Sequence, residues 1–178
     1  MTIAIIGAGS AGREFAVVCA AAGFNVVLED VMPDKLRNAA TEFARIGREV
    51  TLVSTVEDAV READLVVDFV PDELESKLEI WSMIDRMAPP KTVMCTPSEV
   101  LSITDLASCT YRADRCIMVR GALTGGGPLG LLSAAPTSPA TLVLATELFT
   151  ALGFAVQSSA DPDLPQLLKN MHANHIQQ

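Results

Sequence analysis

The chain has 178 residues, enough for one domain with a sizeable core, and 49% of them are hydrophobic against 20% charged. A formal net charge of −9 excludes the basic face that non-specific nucleic-acid binding requires, and it disfavours docking on an anionic membrane surface. No apolar run reaches the roughly 18 residues that cross a bilayer, and the N-terminus enters an apolar strand without the basic and apolar regions of a signal peptide. These features predict a cytoplasmic protein with neither nucleic acid nor membrane as a partner. Cys19, Cys95, Cys109 and Cys116 have no C-x-x-C spacing and read as buried thiols of a reducing compartment. The mean hydropathy of +0.33 fits a very apolar α/β core, or a surface covered by a further subunit in a homo-oligomer.

Strand and helix patterns alternate along the chain. Residues 2–6 read as a strand, 10–22 as a helix and 25–29 as a strand. Residues 33–46 read as a helix with Pro33 in its first turn, where a missing N–H is harmless. A short strand at 50–53 precedes a helix capped by Thr55 that runs to Glu62, with Glu57 and Asp58 in its first turn. The continuous apolar run 65–70 is typical of a buried parallel strand. A helix follows from Asp72 to about Met87, where Pro89-Pro90 stops it; Trp81, Ile80, Met83 and Met87 form its apolar stripe, read as core or as a subunit interface. Further on come a strand at 92–95, a helix at 102–107, a strand at 115–119 and a glycine-rich stretch, 123–136, that carries no clear pattern. A helix capped by Ser138 runs to Leu152, a strand spans 155–157, and a last helix spans 164–171. The pattern predicts one domain over residues 1–178, an α/β doubly wound, mainly parallel sheet, with 161–178 as a C-terminal helix or tail.

The chemistry concentrates in the first 30 residues. Gly7-Ala8-Gly9-Ser10-Ala11-Gly12 follows a strand and opens a helix. The N–H groups and positive dipole end of such a helix form a pyrophosphate site. Its glycines serve a tight turn, close backbone approach to phosphate, and close helix–strand packing. Asp30 ends the next apolar run, where an acid accepts ribose hydroxyls and repels a 2′-phosphate; the cofactor expected is therefore NAD rather than NADP. Glu29 is a second candidate for that role.

The chain resembles the NAD-binding Rossmann domain of the 3-hydroxyacyl-CoA dehydrogenases. The resemblance rests on the glycine loop, Asp30, Asp64-Leu65-Val66-Val67, Val70-Pro71-Asp72-Glu73-Leu74, Ala88-Pro89-Pro90 and, most specifically, Leu101-Ser102-Ile103-Thr104-Asp105-Leu106-Ala107, and it covers nearly the whole chain. It implies that Gly7 to Gly12, Asp30, Val70, Pro71, Asp72 and Lys77 hold NAD, with Asp72 near the nicotinamide-side ribose. Asp72 also reads as a helix N-cap closing a capping box with Glu75, and Lys77 as part of a solvated helix face.

The family's catalytic residues are replaced. Its Asn-Thr-Ser-Ser stretch reads Pro97-Ser98-Glu99-Val100 here, its histidine base falls on Arg120, and no acid occurs from Cys116 to Thr146 to serve as that base's partner. The expected asparagine falls near Leu167, three residues from Asn170. His172 and His175 read as a solvated tail, and no metal site is expected. Only about 20 residues separate Asp30 from Val50, too few for the family's CoA-binding helical tail, and the resemblance stops before its helical C-terminal domain. Arg120, Ser98 and Glu99 are the candidate catalytic residues, with an Arg120–Glu99 ion pair as the alternative for the arginine. Thr124-Gly125-Gly126-Gly127 reads as a loop closing on a ligand or as a plain linker. Two functions stay open: an NAD(H)-dependent oxidoreductase for a non-standard small hydroxy or keto substrate, and a non-catalytic NAD(H)-binding subunit that senses redox state or engages a regulatory protein partner.

Overall fold

A computed structural model describes residues 1–162. The strands are β1 (Thr2–Ile6), β2 (Asn25–Glu29), β3 (Thr51–Val53), β4 (Leu65–Asp68), β5 (Val93–Pro97), β6 (Cys116–Arg120), β7 (Pro128–Ser133) and β8 (Ala155–Ala160). The helices are α1 (Ser10–Ala21), α2 (Pro33–Ile46), α3 (Val56–Val60), α4 (Leu74–Met87), α5 (Ile103–Ser108) and α6 (Pro139–Ala151). One sheet carries the order β3-β2-β1-β4-β5-β6-β7-β8. It is parallel from β3 to β6, while β7 runs antiparallel to β6 and parallel to β8. This is the doubly wound α/β sheet expected.

Helices on both faces bury the central strands, so β1 and β4 read as apolar runs rather than alternations. One core, on the α1/α6 face, gathers Ile3, Ile5, Phe15, Leu28, Val67 and Phe149. The other, on the α3/α4/α5 face, gathers Ala4, Ile6, Val66, Trp81, Met94 and Met118. The chain order reverses between β1 and β4, and ligands of such sheets bind in the crevice at that switch point, beyond the strand C-termini.

Several boundaries differ from the sequence reading. The apolar run after Leu65 leaves the sheet at Asp68, and α4 begins at Leu74 rather than Asp72. The glycine-rich stretch holds β7, paired through Val119–Leu131 and Arg120–Gly130. Its preceding loop uses positive φ at Gly121, Gly125 and Gly126, so residues 124–127 lie in the seven-residue connection, 121–127, of the β6–β7 hairpin. Cys109 is exposed, unlike the other three cysteines. Burial pushes the Cys116 thiol up to about 12, and those of Cys19 and Cys95 higher still, which keeps these thiols protonated. Trp81 is buried, Ile80 and Met83 pack partly against the second core, and Met87 stands 41% exposed, so the α4 stripe is mostly core. The helix expected at 164–171, together with Leu167, Asn170, His172 and His175, lies outside the described residues.

Candidate functional site

The glycine turn between β1 and α1 forms one half of the crevice. Gly7 adopts φ +103°, a left-handed conformation that L side chains rarely take. A Cβ on Gly12 would collide with the Gly7 carbonyl oxygen, so this glycine permits the close packing of α1 on the turn. Gly9 is different. Its φ is −66° and a Cβ there would meet nothing within 4 Å, so neither the backbone nor the protein's packing demands glycine. What its missing side chain leaves clear is the approach to the start of α1. That helix has Gly9 at its N-cap, no side-chain cap and no acid in its first turn, so its first N–H groups face the crevice without a side-chain acceptor. A group with strong acceptor oxygens and negative charge fits this cradle.

Asp30 closes the same half. Its Oδ2 accepts from the Ala8 N–H at 2.9 Å and its Oδ1 from the Met32 N–H at 2.9 Å, with Lys35 Nζ 3.4 Å from Oδ2. The acid thus fixes the glycine turn while standing at the end of β2. Arg13 braces the turn from α1: it donates to the Ala8 carbonyl and pairs with Glu42 of α2 at 2.8 Å. Glu29 is 3% exposed, and its carboxyl is pushed up to about 7 by burial first and then by Asp30, against the opposing effects of the Gly7 N–H and Lys35.

Across the switch point, a cavity of about 350 Å³ opens between α1 and the ends of β4, β5 and β6. Ala11 and Glu14, one turn apart on α1, form one wall; Asp72, Ser98, Glu99 and Thr124 are among the residues opposite. A chain of side chain to backbone bonds builds this wall. Asp72 Oδ2 accepts from the Glu99 N–H at 3.0 Å, and Glu99 Oε1 accepts from the Gly121 N–H at 2.9 Å. Asp72 is therefore not the helix cap: Glu73 holds that position and no side chain caps α4. Ser98 is 4% exposed, and its Oγ accepts from the N–H groups of Val100 and Leu101.

The structure brings Ser98 and Glu99 to the cavity but not Arg120. The arginine lies behind the loop, donating to the carbonyls of Ser98 at 3.3 Å and Leu101 at 3.1 Å. The alternative for the arginine, an ion pair with Glu99, is not among the contacts of the described residues; Glu99 Oε1 accepts from the Gly121 N–H. Lys77 is 1% exposed, which overturns its reading as a solvated residue. Its ammonium donates to Asp68 at 2.7 Å and to the Pro97 carbonyl at 3.1 Å, and Trp81 Nε1–H donates to the other Asp68 oxygen at 2.9 Å. Val70 is half-buried and Pro71 exposed, in the loop between β4 and α4.

Glu14 and Asp68 were not singled out from the sequence. The first lies three residues after Ala11, the spacing of one helix face; the second is an acid inside an apolar run, nine residues before Lys77. Asp161 was missed too: its Oδ2 accepts from Ser102 Oγ, Thr104 N–H and Thr104 Oγ1, tying the end of β8 to the start of α5. Among the described residues no cluster of His, Cys, Asp or Glu forms a metal site, and no helix is long and apolar enough to cross a membrane.

The family described as 3-hydroxyacyl-CoA dehydrogenase, NAD binding domain, matches residues 2–48 and 37–120. The chain belongs to this family. NAD is accordingly its cofactor, and the bare Gly9 approach, the uncapped α1 and Asp30 are the groups that fit it. Similar proteins include the 3-hydroxybutyryl-CoA dehydrogenase of Bradyrhizobium diazoefficiens, 29% identical over 89% of this chain and 61% of that protein. The probable 3-hydroxybutyryl-CoA dehydrogenase of Bacillus subtilis is 29% identical over 65% of this chain and 46% of its own length. The chain thus spans about half to three-fifths of these relatives. Among solved structures, a 3-hydroxyacyl-CoA dehydrogenase from Archaeoglobus fulgidus superposes with a TM-score of 0.80 at 22% identity, covering 99% of this chain and 61% of its own. A diketoreductase does so with a TM-score of 0.83 at 22% identity, covering 98% and 69%. Both are likenesses of fold.

Proposed function

We propose that this dehydrogenase-family domain is an NAD-dependent oxidoreductase with an altered active site, acting on a small hydroxy or keto substrate other than the usual 3-hydroxyacyl-CoA. The observation that carries this reading is the meeting of Ser98 and Glu99 in one cavity beside the first turn of α1, with Asp72 bracing the loop that carries them. Bound NAD supplies the hydride acceptor or donor. The chain's own groups do the rest. The N–H groups of Ser10 and Ala11 and the α1 dipole hold pyrophosphate, and Asp30 takes a ribose hydroxyl. Val70, Pro71 and Asp72 border the second ribose. Glu99 takes the proton of the substrate hydroxyl as its hydride leaves for NAD⁺, and the Ser98 hydroxyl, which accepts two backbone N–H groups, keeps its proton and offers it as a hydrogen bond to the substrate oxygen. Arg120 sets the shape of their loop without touching substrate, and Lys77 supports the floor through Asp68 and the Pro97 carbonyl.

The reading includes a cytoplasmic setting, supported by free thiols at all four cysteines, and self-association, supported by the apolar groove where Val143 of α6 stands 55% exposed beside Phe24. A second reading, a non-catalytic NAD(H)-binding subunit that engages a regulatory protein partner, is favoured by one observation: the side chain in the place of the family's base, Arg120, is committed to backbone carbonyls. Calorimetric titration with NAD⁺ and NADH, followed by assay of NADH formation across hydroxy acids and hydroxyacyl thioesters, separates the two. Turnover that Glu99→Gln abolishes supports the enzyme. Tight binding without turnover on any substrate supports the subunit.

A further inference from the structure

We propose that Glu14, Asp72 and Glu99 make this domain select the oxidised form of its cofactor over the reduced form. The inference rests on NAD occupying the switch-point crevice. Asp30, just after β2, marks the adenosine half of that crevice, so the cavity on the β4, β5 and β6 side belongs to the nicotinamide half. The oxidised nicotinamide ring carries a positive charge and the reduced ring carries none. The two forms are otherwise nearly the same size, so the charge of the surroundings discriminates between them.

The surroundings here are one-sided. Among the described residues, three carboxylates line the cavity and no lysine, arginine or histidine does. The neighbouring cations are directed elsewhere: Arg13 pairs with Glu42, Lys77 pairs with Asp68 in the interior, and Arg120 faces the Ser98 and Leu101 carbonyls behind the loop. Two of the acids are held in place by backbone N–H groups, Asp72 by that of Glu99 and Glu99 by that of Gly121. Glu14 makes no side-chain hydrogen bond or ion pair among the described residues, so replacing it alters charge with little effect on structure. A carboxylate about 6 Å from a unit positive charge in watery surroundings changes affinity roughly threefold.

The test is calorimetric titration with NAD⁺, NADH and ADP-ribose, the last lacking the nicotinamide ring, on the wild type, Glu14→Gln and Glu14→Gln/Glu99→Gln. The expected result is a fall in the ratio of NAD⁺ to NADH affinity, of about threefold in the single variant and about tenfold in the double. ADP-ribose affinity stays constant, and added salt shrinks the wild-type ratio toward that of the double variant. Equal weakening of NAD⁺ and NADH, or an unchanged ratio with ADP-ribose still bound, overturns the proposal. Failure of the wild type to bind ADP-ribose removes the cofactor site itself, and the proposal with it.

Discussion

The two halves of the crevice are built in opposite ways. On the β1–β2 side, backbone is the working surface and side chains are kept out of its way: Gly9 leaves open space, α1 has no cap, and Asp30 reaches in from the neighbouring strand to hold the turn. On the β4–β6 side the working surface is made of side chains, and backbone serves as their anchor. Asp72, Ser98 and Glu99 each take one or more N–H groups, and Arg120 gives its own to two carbonyls. A surface made of backbone tolerates few changes at its glycines, because a Cβ at Gly12 meets the turn and one at Gly9 stands in the approach to α1. A surface made of side chains keeps its shape while its chemistry changes, which is the latitude the proposed change of active-site residues would use.

The sharpest way to break this comparison is at the floor of the side-chain half. Lys77→Met leaves Asp68 charged and buried beside Trp81, and chemical denaturation is expected to show a loss of about 3–5 kcal/mol. Next comes the contrast within the glycine turn. Gly12→Ala drives a Cβ into the Gly7 carbonyl and is expected to destabilise the fold by about 3 kcal/mol. Gly9→Ala is expected to leave the melting temperature nearly unchanged while weakening NAD binding at least tenfold in a titration. Equal stability losses for the two alanines would mean that Gly9 serves the fold rather than the ligand.

Glu29 gives an intermediate effect with a definite sign. Its folded-state pKa, near 7, lies above the ordinary 4.5 because burial disfavours the charged form. At pH below 4.5 the group is protonated in both states and makes no difference. As pH rises from 4.5 to 7 the unfolded chain ionises first, so stability falls and then levels off. Glu29→Gln removes that loss and is expected to stabilise the protein by about 1–3 kcal/mol near pH 8, with almost no change near pH 4, as read by urea denaturation. The smallest expected effect belongs to Arg120→Gln, about 1 kcal/mol of stability, because two part-buried backbone carbonyls lose a donor. Its larger consequence is a loosened 98–101 loop, seen as faster amide exchange at Val100 and Leu101 with NAD affinity unchanged.

The sheet and the phosphate turn were legible in the sequence because both depend on local pattern. Apolar runs bounded by glycine and proline mark the strands, and the spacing of Gly7, Gly9 and Gly12 states its own geometry. β7 was not legible, since Gly130 and its neighbours show no alternation and the strand exists through pairing with β6 and β8. The roles of Asp72, Lys77 and Arg120 were hidden for a related reason. Each meets a partner 9 to 27 residues away, and no local rule states which carbonyl or carboxylate that is. Residue type and resemblance left Arg120 a catalytic candidate or a partner of Glu99, and Lys77 an NAD contact or a solvated group; the fold turned one behind its loop and the other inside.

Asp68 has a consequence for how the molecule reaches one arrangement rather than several. It is a single sheet residue that binds two residues one turn apart on α4, Lys77 and Trp81, each through a different oxygen. A purely oily contact would let α4 rotate, or slide by a turn, with modest penalty, because one aliphatic side chain substitutes well for another. The paired donors allow no such latitude: every other angle or register of α4 strands an ammonium, an indole N–H and a carboxylate in the interior together. The trio works as a key that admits α4 at one rotation only. Since the loop feeding α4 carries Asp72, that key also sets where the crevice's side-chain wall begins.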